Sequence, residues 1–446
     1  MTLPTTRRHF LKQTAVGLTT LSIVPGHVLG LNGATPPSQK LSLAFVGIGG
    51  RGVTNLESMD SENVVALCDV DEKHAAASFG KYPAAKRFTD YRKMLDQLHK
   101  QLDGIVVSTP DHTHAVIAMA AMRHGKHVYC EKPLAHSIGE IRALMHAAHR
   151  YQVITQLGNQ GHSFNTIRNF CEWIWDGAIG RVHTVHAICG ANNSSVDKLP
   201  LLAEKHPVPA GLDWDQWLGP AQYRPYHPVY LPGSWRAWTP FGSGSLGDWT
   251  CHVVDPVFWA LDLGSPVAIS AKVKDYDLKK HADTYPPGAV ITYEFPANAK
   301  RGPVKLLWFE GTAKPPRPAE LEPDDTLPKI GAVVMGDQGA IIYGSHGATS
   351  ARLIPDAKME AYQKPPQTLW RTKAHHEDWL NAIRAGKPAG SNFDYGGPLS
   401  ELAMLGIIAM RLPETRLEWD GAKAKFKNHA AANALITPYY RKGWKL

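Results

Sequence analysis

The chain has 446 residues, 43% of them hydrophobic, with a formal charge of +8; at the usual ~150 residues per domain it can bury two large cores and carry extra segments. Arg7, Arg8 and Lys12 supply three of those charges in a stretch of 30 residues without an acid, and the +5 that remains is mild for the rest. An extended nucleic-acid surface is excluded, because basic residues cluster only at Lys423, Lys425, Lys427, Arg441, Lys442 and Lys445, which read as a solvated or interface tail. Five cysteines, Cys68, Cys130, Cys171, Cys189 and Cys251, have no C-x-x-C spacing and are odd in number, so they read as buried apolar residues and define neither a disulfide framework nor a structural metal site.

In chain order, residues 1–30 come first. "TTRRHFLKQTAVGLTTLSIVPG" joins Arg7-Arg8 to an apolar run from Ala15 to Val24 that is too short and too rich in Thr and Ser to span a bilayer comfortably. It resembles a bacterial twin-arginine export signal, which implies the twin-arginine machinery as a partner, a periplasmic or otherwise exported location, and no stable membrane insertion. No A-x-A site follows, so the mature start and retention as an anchor stay open.

Leu41–Val46 reads as a strand running into Gly47-x-Gly49-x-x-Gly52 and then a helical pattern, the context a dinucleotide fingerprint requires. Gly47 allows the tight turn, Gly49 lets the backbone approach a pyrophosphate, and Gly52 permits close packing of a helix whose N-terminus favours phosphate. The next strand, Val64–Leu67, ends at Asp69, 17 residues beyond Gly52 and suited to a ribose hydroxyl pair. An acid there repels a 2′-phosphate and no arginine follows it, so NAD is expected over NADP.

A helix from Glu72, a strand at Lys86–Phe88, a helix over Tyr91–His99 and a strand at Gly104–Val107 continue the alternation, so the first sheet is predicted parallel and doubly wound. "TPDHTH" and "CEKP" directly follow strands, where the ligand belongs. His112 and His114 read as helix-entry residues beside the cofactor and not as a metal pair. Lys132, fixed between an acid and a proline, is placed to polarise a hydroxyl or carbonyl. After the strand in "QVITQLGNQGHSF", Asn159 is expected to face the nicotinamide and His162 the substrate; capping of a helix by Asn159 and Ser163 is the alternative.

The second domain is predicted to be rich in strands, with runs at Val182–Ile188, Val267–Val273, Ala289–Phe295, Val304–Phe309 and Gly339–Tyr343. Residues 314–328, heavy in Pro and acids, read as a surface loop, and 399–411 as a helix packed back on both domains. Between 212 and 249 a long loop concentrates Trp214, Trp217, Trp235, Trp238 and Trp249 with several tyrosines. Most of these rings are expected to anchor the loop, with some free to stack on sugars and with Arg236 or His227 bonding hydroxyls. "GSGSLGDWTCHVVDP" then sets Asp248 and His252 at i and i+4 on one helix face. There a carboxylate could orient an imidazole as a base, or the pair could be a helix-start acid and a satisfied core histidine.

Gly47 to Gly52, "TPDHTH", "EKP" at 131–133, "DGAIGRV" at 176–182 and Asp248-x-x-x-His252 together resemble the glucose-fructose oxidoreductase, inositol dehydrogenase and rhizopine-catabolism (Gfo/Idh/MocA) family over nearly all of 40–412. The resemblance implies an α/β protein: a Rossmann domain (40–158), an α/β domain with a large, mostly antiparallel open sheet (159–412), and a basic tail (413–446). It implies catalysis by Lys132, Asp248 and His252, with Asp248 orienting His252. The cofactor set becomes Gly47, Gly49, Arg51, Gly52, Asp69, Asp111, His114, Glu131, Lys132 and Asn159, and the substrate contacts His162 and Arg236. Asp111 departs from the asparagine common in the family's "TPN" turn. Also implied are a carbohydrate or polyol substrate, no metal, and a homo-oligomer, dimer or tetramer. Two further activities stay in view: an NAD-dependent glycosidase that oxidises transiently and eliminates, and a non-catalytic sugar sensor.

Overall fold

A computed structural model describes residue 36 and residues 39–446; the proposed export signal lies outside the described residues. Residues 41–446 form one compact unit built on two sheets.

The first sheet contains β1 (Ser42–Val46), β2 (Asn63–Cys68), β3 (Lys86–Phe88), β4 (Gly104–Val107), β5 (His127–Glu131) and β6 (Thr155–Gly158), all parallel in the order β3-β2-β1-β4-β5-β6. Its strands are buried on both faces. Leu43, Phe45, Leu67, Val106 and Tyr129 turn one way, while Ala44, Val46, Ile105, Val107 and Cys130 turn the other, as a pleat of period two demands. Trp379, fully buried on a helix over His375–Ala385, returns from beyond the second sheet to close the first of these faces. Gly104 makes room for it, since a Cβ there would lie 2.9 Å from the indole. Strand order reverses between β1 and β4, and the crevice at their carboxyl ends is where such sheets bind ligands.

The second sheet joins β7 (Val182–Cys189), β8 (Ala268–Lys274), β9 (Gly288–Phe295), β10 (Val304–Gly311), β11 (Ile330–Gly336), β12 (Gly339–Gly344), β13 (Thr349–Ile354), β14 (Leu417–Asp420) and β15 (Lys425–Phe426). Their order is β13-β12-β11-β7-β10-β9-β8-β14-β15, antiparallel except for β7 with β10. Helices Gly244–Val253 and Phe393–Met410 pack between the two sheets. On the outer face, Ile188, Val333, Ala340, Ile342 and Ile354 are covered by Leu321 and Leu327. The segment read as a surface loop is therefore pinned across the sheet by two leucines set among its prolines and acids.

The tail also differs from the expectation of a solvated segment. Leu417 and Trp419 alternate inward, Leu417 pairs with Ile269, and Phe426 stacks on Trp419 at 4.8 Å. Leu417, Trp419 and Phe426 make 417–426 part of the sheet. All five cysteines are free and buried. Among the described residues no helix is long and apolar enough to cross a membrane.

Candidate active site

The glycine turn forms as its spacing requires. Gly47 has φ +78°, and a Cβ there would sit 2.8 Å from the Ser108 backbone; at Gly52 a Cβ would overlap the Gly47 carbonyl, so the helix over Gly50–Ser58 can pack this close only without side chains. Under the turn, Asp69 accepts from the Ile48 amide at 2.8 Å and the Asp71 amide at 3.0 Å. Burial pushes its carboxyl up, against those two bonds. Arg92, four residues beyond β3, is taken by both oxygens of Asp90 at 2.9 Å.

A cavity of about 510 Å³ opens at these strand ends, lined by Gly47, Gly49, Arg51, Asp69, Asp111, His114, Glu131, Lys132, Arg236 and His252. Sequence positions far apart thus converge on one space. His114 staples two of its loops, with ring nitrogens 2.8 Å from the carbonyls of Thr109 and Pro133. Glu131 is buried and gathers Asn55 at 2.9 Å, Gln160 at 3.0 Å and Arg51 at 3.3 Å on one oxygen. Asp111 accepts from the Ser243 amide at 3.0 Å and from Arg236 at 3.4 Å, tying the "TPD" turn to the start of the Gly244–Val253 helix.

Asp248 and His252 share that helix, but the expected bond between them is not made. Lys132 Nζ donates to Asp248 Oδ1 at 2.6 Å and to the Asp248 carbonyl at 2.7 Å, and Arg236 Nε lies 3.3 Å from the same carboxylate. Spacing made Asp248 and His252 neighbours, yet two cations outbid a neutral ring for a carboxylate. Burial alone would raise the Asp248 carboxyl, but Lys132 and Arg236 outweigh it and hold it below the ordinary carboxylate value. His252 is buried, its Nδ1 has no partner, and its ring lies 3.9 Å from that of His346. Desolvation, then the Lys132 charge, hold the imidazole well below its ordinary value, so it is neutral.

Two expected ligand contacts are corrected. Asn159 is fully buried, donates to Asp255 at 3.0 Å and accepts from Ser391 at 2.7 Å; His162 faces Asp255 at 3.0 Å and stacks on Trp259 at 4.6 Å. Neither lines the cavity, and Asn159 makes no capping bond. Asp255, 1% exposed and joined also by Tyr395 at 2.5 Å, draws both inward. Their neighbour Gln160 faces the cavity instead.

Sequence reasoning missed His346, Gln160 and Trp444, all on the cavity wall. His346 lies in the turn after β12, where "GSHGAT" offers only a turn signal. Of the aromatic loop, Trp217 and Trp235 reach the cavity from the edge of a cluster that buries Trp214, Trp217, Tyr230, Trp238 and Phe241 together. His227 caps a short turn by accepting the Val229 amide on Nδ1 at 3.1 Å. That bond bears on Glu204, His206 and His227, whose ligand atoms lie within 4.8 Å of one another: a neutral His227 then carries its proton on Nε2 and has no lone pair left for a metal.

Residues 41–159 match the oxidoreductase family, NAD-binding Rossmann fold (GFO_IDH_MocA), and 186–299 match the oxidoreductase family, C-terminal alpha/beta domain (GFO_IDH_MocA_C2), together more than half of the chain. The chain belongs to the Gfo/Idh/MocA oxidoreductase family. A glycosyl hydrolase family 109 protein of Akkermansia muciniphila is 34% identical over 122 residues, 25% of each chain. The inositol 2-dehydrogenase of Salmonella typhimurium is 31% identical over 112 residues, 24% of this chain and 33% of that one. The match thus spans a quarter to a third of the length of these curated relatives. An NAD-binding protein from Listeria innocua has the same fold, with a TM-score of 0.59 and 18% identity over 85% of this chain and 97% of that one. The family's first domain binds NAD, and the glycine turn, the helix N-terminus and Asp69 fit that cofactor here.

Proposed function

We propose that this family member is an exported oxidoreductase that transfers a hydride between tightly held NAD(H) and a secondary alcohol of a sugar, polyol or glycoside. The observation that carries the reading is one cavity holding the glycine turn, the pinned Lys132 ammonium and the neutral His252. NAD, when bound, supplies the hydride acceptor. His252, uncharged on the cavity wall, takes the hydroxyl proton. Lys132, aimed by the Asp248 carboxylate and carbonyl, donates a hydrogen bond to the substrate oxygen as negative charge grows there. Asp248 is thus a positioning residue for Lys132. Trp217, Trp235 and Arg236 offer the ring faces and donors a polyhydroxylated substrate needs.

Arg7-Arg8 supports export. A folded protein carried into a compartment poor in dinucleotide would load NAD beforehand and keep it. The outer face of the second sheet beyond the 314–328 loop, with Leu307, Thr292 and His186 half-buried, suits pairing into a dimer or tetramer; light scattering tests it.

A second reading rests on the glycosyl hydrolase relative: transient oxidation, elimination of the glycosidic bond, and NAD unchanged at the end. The family resemblance implies that glycosidases of that kind lack the lysine of the "EKP" motif, and its presence as Lys132 favours the first reading. Incubation with a panel of glycosides separates them. Net growth of bound NADH supports the oxidoreductase; release of the leaving group without it, retained in Lys132→Ala, supports the glycosidase.

A further inference from the structure

Trp444 lines the same cavity as Asp69, Val70, Thr89 and Tyr91. Those four residues lie at the carboxyl ends of β2 and β3 or just beyond, the adenosine half of a Rossmann cleft, because the acid after the second strand takes the adenine ribose. Trp444 turns inward, half-buried between exposed Gly443 and Lys445. The Arg92 guanidinium lies 4.7 Å from its ring centroid, and Arg92 is itself fixed by Asp90 and by Gln216 at 3.0 Å.

The segment leading to Trp444 is anchored on two separate parts of the molecule. Arg441 donates to the Gly219 carbonyl at 2.6 Å and to Asp215 at 2.5 Å, and its amide to the Pro220 carbonyl at 3.1 Å. On the Rossmann side, Tyr440 donates to the buried Glu140 carboxylate and the Gly139 amide to the Ile436 carbonyl at 2.9 Å. Gly139 leaves room for that approach, since a Cβ would lie 2.7 Å from Thr437 Oγ1. These bonds hold the ring in place against the cavity.

We propose that residues 435–446 form a clasp that closes the adenosine half of the dinucleotide cleft, with Trp444 as its wall, and slows the release of NAD(H). The proposal rests on NAD binding by this cavity, and it gives the retention that an exported enzyme needs a structural cause. A wall against the adenosine contributes equally to the affinity for NAD and for AMP, and nothing to that for nicotinamide mononucleotide. Packing of a base on an aromatic side chain is commonly worth about tenfold or more in affinity.

The test compares wild type, Trp444→Ala, Trp444→Leu and a chain ending at Arg441, each full-length otherwise. NAD dissociation is followed by displacement, AMP and nicotinamide mononucleotide binding by calorimetry on protein freed of NAD, and melting on the same samples. The clasp predicts about tenfold faster NAD release and about tenfold weaker AMP binding, with nicotinamide mononucleotide affinity and melting unchanged. Should Trp444→Ala fail to fold, Trp444→Leu and the shortened chain carry the same expectations. NAD release at the wild-type rate, or equal weakening of both half-ligands, overturns the clasp alone. Wild-type protein that binds neither NAD nor AMP overturns the cofactor site and the clasp with it.

Discussion

Lys132, Asp248 and His252 could be picked out of the sequence because the "EKP" turn and the i, i+4 pair are local patterns. Their partnership could not, since Lys132 arrives from 116 positions away and takes the carboxylate first. Lys132→Ala and Asp248→Asn should each lower turnover, and the double variant should lose little beyond the worse single one, as residues acting as a unit do; losses that multiply would separate the two. For His252 the acid limb of kcat/KM should fall well below the ordinary imidazole value of ~6.5, because desolvation and Lys132 disfavour the charged ring. A limb at ~6.5 would place the titrating base elsewhere. Glu310, buried on β10 with Trp308 Nε1 donating to it at 2.9 Å, is pushed up by desolvation to about 7 from 4.5. Its folded value lies above its unfolded one, so the stability tied to its proton is full below 4.5 and lost as pH rises through about 7. Glu310→Gln should therefore raise the melting temperature at pH 8 and leave it nearly unchanged at pH 4, the difference approaching ~3 kcal/mol. Equal effects at both pH values would contradict the shift.

At the scale of elements, legibility followed burial pattern. The parallel strands of the first sheet are short apolar runs bounded by turn residues, and β7 to β10 announce themselves by β-branched, leucine and aromatic content. β11 was hidden behind the Pro- and acid-rich 314–328 stretch, and β13 is an edge strand with polar Thr349 and Ser350, which pays little in apolar burial. β14 was masked by the charged residues around it, although Leu417 and Trp419 carry the alternation. Asn159 and His162 sit after β6 where a ligand contact is expected, and only the fold reveals Asp255 beneath them. The glycine turn is the element with the sharpest expectation. Gly52→Ala would drive a methyl into the Gly47 carbonyl, so NAD affinity should fall by an order of magnitude or more, read by calorimetry, while Gly80→Ala, with nothing within 4 Å of the added carbon, should bind as wild type. Unchanged affinity in Gly52→Ala would mean the turn does not hold the pyrophosphate.

On the scale of the whole molecule, two sheets and the helices between them bring distant segments to one cavity: the first-domain loops, the aromatic loop, the Gly244–Val253 helix, the turn carrying His346 and the tail carrying Trp444. The proposed export rests on residues outside the described ones. Arg7→Lys with Arg8→Lys should leave the precursor in the cytoplasm of a host with twin-arginine transport, as fractionation would show; periplasmic protein from the double variant would contradict the signal. The central claim is that NAD held in this cavity oxidises a sugar alcohol with His252 as base. Its most direct test is the absorbance of bound NADH in a single turnover, wild type beside His252→Ala, on whichever glycoside of a panel reacts. The account predicts that the wild type reduces its bound NAD and that His252→Ala, with the same NAD content, does so ~100-fold more slowly or worse. Reduction at the wild-type rate in His252→Ala would contradict it, and would return His252 to the role of a buried core histidine.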